Sequence, residues 1–266
     1  MRRREAERQL RGLGEIGEIM TAMKNLALME THKLQRFLRT QQRVVGSIRA
    51  AAEDFSAFHG APGEAAGREV LLAIGSERGF CGDFNEAVAA ALAARPDAAE
   101  VVAVGTRLAS RLAGEARVTA RLEGPGTLDE VPGVLQRLMD TLLRPRAGAL
   151  RLSALHHGAG GEGVVAVRLD PFAAPGRPAG YPPRLLLEPR RFAAALAEHY
   201  LFAALHGVFY SSLMAENQRR MQHMERAVQR VGQRSAELQR WRNALRQEEI
   251  TEEIEIIMLN AAPLPA

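Results

Sequence analysis

The sequence contains little of several residue types, and each shortage excludes a class of function. Cys81 is the only cysteine among 266 residues, so an internal disulfide and a cysteine-based zinc cluster are excluded. Aromatic residues make up 5% of the chain, fewer than a single-strand nucleic-acid binder needs to stack bases. No run of 18 apolar residues is present, so we expect no membrane-spanning helix.

Nucleotide-binding motifs are also missing. The sequence has neither a G-x-x-x-x-G-K-[ST] loop nor a G-x-G-x-x-G after a strand pattern.

The basic start, residues 1–5, is not followed by the apolar run of a signal peptide, so we expect a cytoplasmic protein. The net charge of +4 permits nucleic-acid binding, but charges along residues 221–253 are of mixed sign, which favours an ordinary solvated surface.

Both ends of the chain read as long helices without proline, over residues 2–61 and 190–262. Apolar residues of the first stretch recur at helical spacing, among them Ile16, Ile19, Met23 and Leu26. Positions in the second stretch alternate strictly between steps of three and four: Met221, Met224, Val228, Val231, Ser235, Leu238, Arg242 and Leu245. That alternation predicts a coiled-coil seam, and the N-terminal helix, lying antiparallel, is its expected partner.

The middle of the chain alternates between strand and helix patterns. Apolar runs predict strands at residues 70–74, 101–104 and 117–122, and an antiparallel hairpin at 150–155 and 164–169. Helical patterns cover residues 86–94, 107–113 and 128–143, and residues 170–183 read as a loop. The predicted fold class is therefore α/β: a long antiparallel coiled coil of the terminal helices plus a small Rossmann-like domain. The predicted domains are residues 1–61, 68–188 and 190–262.

Candidate chemistry is sparse, and we expect no catalytic residue, cofactor or metal. In the glycine-containing turn at residues 75–85, Asp83 is placed to cap a helix, with Glu86 completing a capping box. Cys81 at that helix start is either an activated nucleophile or, as we favour, a half-buried thiol, because no base partner is evident. His156 and His157 are adjacent on a predicted strand and point to opposite faces, so they do not suit one metal ion.

Three separated blocks resemble the gamma subunit of F-type ATP synthases. Residues 19–24, I-M-T-A-M-K, are similar to the family's I-T-K-A-M; residues 76–85, S-E-R-G-F-C-G-D-F-N, are similar to S-D-R-G-L-C-G-G-F-N. Residues 243–253 match N-x-x-R-Q-x-x-I-T-x-E, and Arg220, Met221 and Met224 match an R-M-x-x-M upstream. Their order fits the family, and the layout covers essentially the whole chain.

The resemblance implies a rotor shaft without a catalytic site. Its expected partners are a ring of catalytic and non-catalytic subunits, a membrane ring that carries ions, and a small epsilon-type companion subunit. No nucleic acid is expected as a partner. The implied location is peripheral, at the cytoplasmic face of a bacterial inner membrane. Turning of the shaft would bias each catalytic site in turn toward conformations of different nucleotide affinity.

The resemblance also carries over partner-binding residues. Arg246, Gln247, Thr251 and Glu253 are expected to face loops of the catalytic subunits. Met23 and Lys24 are expected to lie opposite those residues. The turn at the first strand, with Arg78, Gly82 and Asp83, is expected to meet the membrane-side partners. Arg220 belongs to the same partner-binding set.

The sequence departs from the family pattern at three places. Glu18 stands where the family has a base, Thr21 replaces a lysine, and Asn260 replaces a glycine. These differences leave open a divergent paralogue, for instance in a sodium-pumping ATPase. An α/β protein that binds nucleotides or nucleic acid with helical arms is the alternative of a different class.

Overall fold

The computed structural model describes residues 2–62, 67–97, 100–142, 149–173 and 180–261. The chain begins and ends in long helices, α1 (Arg2–His59) and α5 (Pro189–Ala261). Between them, in chain order, lie β1 (Gly67–Ile74), α2 (Phe84–Ala93), β2 (Glu100–Val104), α3 (Thr106–Arg111), β3 (Val118–Leu122), a 3-10 helix (Leu128–Glu130), α4 (Val131–Leu142), β4 (Ala149–His157) and β5 (Val164–Arg168). The expected mixed α/β fold is confirmed.

The chain divides into two compact units, which we call the two-helix unit and the sheet unit. The two-helix unit combines Met1–Leu26 with Met221–Ala266, and the sheet unit is Ala27–Arg220. The division into three sequence segments stays a prediction. Part of the predicted loop at residues 170–183, namely residues 174–179, lies outside the described residues.

The sheet has five strands in the order β3-β2-β1-β4-β5. β1 pairs in parallel with β2 and β4, β2 pairs in parallel with β3, and β5 runs antiparallel to β4, which confirms the predicted hairpin. The carboxyl ends of the four parallel strands therefore share one edge of the sheet. In doubly wound folds this edge is where loops gather to form sites.

Alternate residues of β1 enter two different cores, as the pleat of a strand requires. Val70, Leu72 and Ile74 pack toward a core that includes residues of α1, α4 and α5. Leu71 and Ala73 pack on the opposite face, in a core that includes residues of α2 and α3. The sheet unit is therefore a three-layer arrangement, and the first part of α5 is one of its core helices.

In the two-helix unit, α1 and α5 run antiparallel. The Lys24 ammonium lies 2.7 Å from the Glu225 carboxylate, and a Cβ on Gly17 would lie 3.5 Å from Val231 Cγ1. All eight predicted seam positions of α5 are buried or half-buried, which confirms the seam.

The contact face of α1 differs from the sequence-based expectation. Ile16, Ile19 and Leu26 are exposed by 45%, 61% and 63%. The half-buried positions, Gly17 among them, follow the same helical spacing but lie one residue later in the sequence. This face continues, at helical spacing, the buried Ala27 and Leu34 of the same helix. Packing further along α1, rather than local hydrophobicity, therefore selects it.

One 18-residue window of α5 is apolar and long enough to cross a membrane by composition, with a mean hydropathy of 1.3. Core helices meet the same criterion, and 44% of this window is buried inside the protein. Since α5 supplies Tyr200, Leu205 and Phe209 to the core of the sheet unit, its apolar character has a structural explanation.

Candidate functional site

The turn between β1 and α2, residues 75–83, is held by a small buried polar network. The Asn85 side chain accepts a hydrogen bond from the Ser76 backbone N–H at 2.9 Å and donates one to Ser76 Oγ at 2.8 Å. The Cys81 thiol donates to the same oxygen at 3.3 Å. Gly75 has no room for a side chain, because a Cβ there would lie 2.3 Å from Leu108 Cβ. The turn is therefore rigid at both of its ends.

A second buried group fastens this turn to α5. Arg220 donates from Nε to the Gly79 carbonyl at 3.2 Å and from Nη1 to Asn217 Oδ1 at 2.8 Å, and its Nη2 bonds to the Glu216 carboxylate. Glu216, Asn217 and Arg220 are 2%, 3% and 5% exposed. A buried ion pair of this kind adds little net stability, but losing one partner leaves the other charge uncompensated. We call Glu216, Asn217, Arg220 and the β1–α2 turn the joint.

The electrostatics of the joint reflect its burial. Removal from water raises the pKa of Glu216 to about 7, although the neighbouring Arg220 guanidinium counteracts the shift. The carboxylate form therefore depends on Arg220 remaining in place.

The carboxyl end of β4 contacts the start of α2, next to the joint. The His157 ring stacks on Phe84 with centroids 3.9 Å apart, and its Nε2 lies 2.9 Å from the Phe84 carbonyl oxygen. Burial lowers the pKa of both His156 and His157, so both rings favour the neutral form. As expected, they diverge: Nδ1 of His156 bonds instead to the His157 carbonyl oxygen, at 2.9 Å.

The predicted capping box at α2 is wrong. Asp83 occupies the cap position, but its carboxylate makes no capping hydrogen bond and accepts one from Arg219 of α5 instead. The competing partner is a guanidinium, whose charge-assisted hydrogen bond is stronger than one from a neutral backbone N–H. Asp83 therefore adds an exposed ion pair to the joint.

Glu77 connects the β1–α2 turn to two further loops at the same sheet edge. Its carboxylate accepts from the Thr106 backbone N–H at 2.9 Å, from Thr106 Oγ1 at 2.7 Å and from the Gly124 N–H at 2.8 Å. Burial alone would raise the pKa of Glu77, but these hydrogen bonds outweigh it and lower the pKa. One carboxylate thus connects three loops.

The geometry does not favour chemistry at Cys81. The residue is 3% exposed, and burial raises the pKa of its thiol, which is the opposite of what a nucleophile needs. Within the described ranges, no group of three or more His, Cys, Asp or Glu side chains could hold a metal ion.

Comparison with known proteins decides the family. The family model described as ATP synthase matches residues 2–263. The chain belongs to this family, that of the ATP synthase gamma subunits. No curated protein sequence matches the chain.

Solved structures of low sequence identity share the gamma-subunit fold. A chain of the Euglena gracilis mitochondrial ATP synthase OSCP/F1/c-ring assembly is 16% identical, with a TM-score of 0.65 over 97% of this chain and 93% of that one. A rotor chain of the same enzyme is 15% identical, with a TM-score of 0.62 over 93% and 98%. A chain of the Tetrahymena thermophila central stalk and c-ring is 16% identical, with a TM-score of 0.56 over 79% and 99%.

The predicted partner-binding residues fall into four places. Arg78, Gly82 and Asp83 are exposed on the β1–α2 turn, whereas Arg220 is buried in the joint beneath them. Its partner-binding role stays a prediction, since the guanidinium donors described above bond within the chain.

Met23 and Lys24 are half-buried on α1, and Arg246, Gln247, Thr251 and Glu253 are exposed near the end of α5. The expectation that the first pair lies opposite the second group is wrong. Lys24 pairs with Glu225, which is 21 positions before Arg246, or about 30 Å along a helix. The antiparallel register of the two helices sets this separation, and the motifs alone did not contain it.

Sequence reasoning missed three residues whose bonds hold the joint in place: Glu77, Glu216 and Arg219. One signal was available for Glu216, which stands four residues before Arg220 on a helix and so on the same face. The bonds of Glu77 and Arg219 join distant parts of the sequence, and no local pattern marks them.

Proposed function

We infer that this chain is the central rotor shaft of a rotary ATPase and couples ion flow in a membrane ring to ATP synthesis or hydrolysis in a catalytic ring. The observation that carries the inference is the gamma-subunit family match over residues 2–263. The chain itself is the non-catalytic subunit, and other subunits carry the nucleotide sites. The long antiparallel helix pair and the rigid joint suit a part that transmits rotation.

The proposed partners follow the assemblies of the structural relatives. Those structures comprise F1 and c-ring in one case and a central stalk with c-ring in another. For this chain we assign the helix pair, with Met23, Lys24, Arg246, Gln247, Thr251 and Glu253, to the ring of catalytic and non-catalytic subunits. Exposed apolar residues at the end of α5, Ile250, Ile254 and Ile257, would be covered there.

The β1–α2 turn, with Arg78, Gly82 and Asp83, is assigned to the membrane ring and to a small epsilon-type subunit. The protein would thus be peripheral at the cytoplasmic face of a bacterial inner membrane. Because the catalytic subunits surround an uneven surface, the shaft favours different conformations of them in turn and so shifts their populations.

The test is reconstitution of the complete complex in vesicles, with and without this subunit. We expect ATP-driven ion uptake only when the chain is present, and no ATP turnover by the chain alone. Proton uptake and sodium uptake, measured in parallel, separate a proton-coupled enzyme from a sodium-type paralogue. Turnover by the isolated chain, or pumping that does not need it, would contradict the proposal.

A further inference from the structure

Phe80, in the β1–α2 turn, has a backbone conformation that its own side chain does little to stabilise. Its φ of 65° lies in the left-handed region, where Cβ of an L-residue approaches the following carbonyl oxygen. The phenyl side chain is 56% exposed, so packing within the chain offsets little of that cost. A residue keeps such a conformation only where the surrounding structure imposes it. The conformation of Phe80 therefore depends on what holds its neighbours.

The residue before Phe80 is held from α5 by a buried cation. Arg220 Nε donates to the Gly79 carbonyl oxygen at 3.2 Å. The Arg220 Nη1 and Nη2 atoms bond to Asn217 Oδ1, at 2.8 Å, and to the Glu216 carboxylate. Asn217 is neutral, so Glu216 is the bonded partner that compensates the Arg220 charge away from water. Whether Arg220 stays buried and holds the turn therefore depends on Glu216 being ionised.

Charged groups of α5 and of the β1–α2 turn surround Glu216. Removal from water raises the pKa of Glu216 to about 7, against the opposing charge of Arg220. From the turn, Arg78 lowers this pKa and Glu77 raises it. The Cys81 thiol faces the same ion pair. The folded chain therefore takes up a proton on Glu216 near neutral pH.

On α1, the charged residues at the level of Glu216 neutralise each other. Gln41 donates to the Ala203 carbonyl oxygen at 2.7 Å, and this antiparallel register places Glu30 and Lys33 at about the level of Glu216. The Lys33 ammonium lies 3.0 Å from the Glu30 carboxylate. That pair adds no net charge beside Glu216.

We propose that Glu216 and Arg220 form a proton-controlled latch on the β1–α2 turn: the latch is closed while Glu216 is ionised, and when Glu216 takes up a proton from water Arg220 leaves Gly79 and the turn opens at Phe80. A neutral Glu216 no longer compensates the guanidinium, which then gains by moving toward water. Phe80 is free to leave the left-handed region once Gly79 is released. In the open state Glu216 stays buried without its cation, so its pKa is higher still and low pH favours that state. The latch goes beyond the rotor function and does not depend on it.

The one cysteine of the sequence reports directly on the turn. Cys81 follows Phe80, is 3% exposed and has its sulfur 3.3 Å from Ser76 Oγ, so a thiol reagent reaches it only when the turn opens. The experiment measures the rate at which 4,4′-dithiodipyridine modifies Cys81 in the folded, full-length chain between pH 6 and 8. Each rate is divided by the rate for the same chain unfolded in urea, which removes the ordinary effect of thiol ionisation.

The latch predicts both the size and the shape of the pH response. Above pH 7 the open state holds one proton more than the closed state, and below pH 7 this difference disappears, because Glu216 is then protonated in both. The rate ratio should therefore be about tenfold higher at pH 6 than at pH 8, with most of the rise between pH 8 and 7. Glu216→Gln imitates the protonated carboxyl group, so its ratio should be high and nearly independent of pH.

Two control variants separate the latch from other groups that titrate nearby. Asp83→Asn removes an exposed carboxylate from the same turn, where it pairs with Arg219, and should leave the pH response unchanged. His157→Gln removes the buried imidazole that stacks on Phe84 and should also leave it unchanged. Circular dichroism establishes that each chain is folded, and the wild-type profile decides the question if Glu216→Gln does not fold.

Three results would overturn the proposal. The first is a wild-type ratio that stays constant between pH 6 and 8. The second is a Glu216→Gln chain that keeps the wild-type pH response, because the proton would then act at another group. The third is amide exchange in β1 that rises in parallel with Cys81 modification, because the whole sheet unit would then be unfolding. None of these results affects the rotor function, which the reconstitution tests separately.

Discussion

The sheet unit and the two-helix unit are stabilised in different ways. The largest fully buried side chains among the described residues, such as Tyr200, Phe84 and Phe209, all belong to the sheet unit. In the two-helix unit the buried apolar residues are few and mostly smaller: Ala6, Met224, Ala227 and Leu238. A full side chain removed from water contributes about 1.5–3 kcal/mol, so the sheet unit has much the larger hydrophobic stabilisation.

Exposed apolar residues do not separate the two units in the same way. The two-helix unit leaves large apolar side chains exposed, including Ile19, Ile254 and Ile257 at 61%, 52% and 65%. Exposed apolar side chains mark a binding surface where they form one contiguous patch. The sheet unit also has exposed apolar side chains, such as Leu186 and Phe202, but it encloses a large core and buries a polar joint. The two units therefore differ in the size of their cores rather than in exposed apolar surface.

The largest effect is expected from breaking the joint. Arg220→Met leaves the Glu216 carboxylate buried without its cation, and the expected loss of unfolding free energy is about 3–5 kcal/mol. Urea unfolding of the isolated chain at pH 8, above the folded pKa of Glu216, measures this loss.

Two controls accompany that measurement. The double variant Glu216→Gln with Arg220→Met should recover part of the stability, because the unpaired charge is gone. Arg219→Met, which removes the exposed ion pair with Asp83, should change stability by less than about 1 kcal/mol. A loss under about 1 kcal/mol for Arg220→Met would show that the joint does not hold the turn.

The next largest effect is expected in the coiled-coil seam. Leu238 is 7% exposed, so Leu238→Ala should cost about 2–5 kcal/mol of helix-pair stability. Hydrogen exchange of amides in α5 beyond Met221 measures that unit separately. The exposed neighbour Gln239 provides the control, and Gln239→Ala should have little effect. An equal response of both variants would place Leu238 outside the seam.

Local patterns accounted for the elements that depend on sequence neighbours. The strict three–four alternation from Met221 to Leu245 predicted the α5 seam, and short apolar runs predicted β1 and β2. Non-local competition explains the errors. Asp83 has the right type and place for a capping box, but Arg219, which is 136 residues away, takes its carboxylate. The apolar stripe of Ile16, Ile19 and Leu26 lies outside the helix contact, because the contact face of α1 continues the buried positions further along the same helix.

A pH effect of intermediate size is expected at the end of β4. Burial lowers the pKa of His157 below its ordinary 6.5, so below pH 6.5 the unfolded chain binds more protons than the folded one. The stability contribution is present above pH 6.5 and is lost as the pH falls toward the lowered value. The slope cannot exceed about 1.4 kcal/mol per pH unit for one group.

The readout is the difference in slope between the wild type and His157→Gln. Glu216 has a raised pKa and so favours the folded state below pH 4.5, with stability lost as the pH rises toward 7, which opposes the histidine effect. Comparing the two chains between pH 5 and 7 cancels the Glu216 contribution. Identical slopes would show that the pKa of His157 is the same in the folded and the unfolded chain.

A smaller and stabilising effect is expected at Gly17. A Cβ there would lie at an ordinary contact distance, 3.5 Å, from Val231 Cγ1, so alanine fits the seam. Gly17→Ala should raise the stability of the two-helix unit by about 1 kcal/mol, the helix-propensity difference. Exposed Gly14, with open space around its Cβ position, is the matched control and should gain a similar amount. A loss at Gly17 alone would mean that the helices pack more closely than described.

The candidate site was partly predictable for the same physical reason as the fold. The glycine-rich turn at residues 75–85 stood out because tight strand-to-helix turns require small residues at particular positions. The buried bonds of Arg220 did not stand out, because a motif gives no information on whether an arginine faces a partner or the interior. The wrong expectation that Lys24 lies opposite Arg246 had a similar origin, because packing between distant segments sets the pairing register of the two helices.

The smallest effect on the chain's own stability, and the most direct test of the comparison, is expected at the exposed end of α5. Arg246 and Gln247 are exposed, so Arg246→Ala with Gln247→Ala should change unfolding free energy by less than about 0.5 kcal/mol. They precede Thr251 by five and four residues, and the Thr251 hydroxyl donates to the Gln247 carbonyl at 2.9 Å. Arg246 offers a planar fork of donors suited to carboxylates on an encircling loop. If this surface contacts only some conformations of the catalytic ring, its loss lowers ATP-driven ion pumping while assembly stays normal.

Arg137→Ala, at an exposed arginine of α4 in the sheet unit, is the control and should pump like the wild type. Subunit composition and ion uptake are measured on the same preparation, because exposed charge pairs contribute under about 1 kcal/mol and only a desolvated contact would give a large loss. Normal pumping by a fully assembled double variant would show that this face transmits no torque, and the contrast between the two units would then be one of core packing alone.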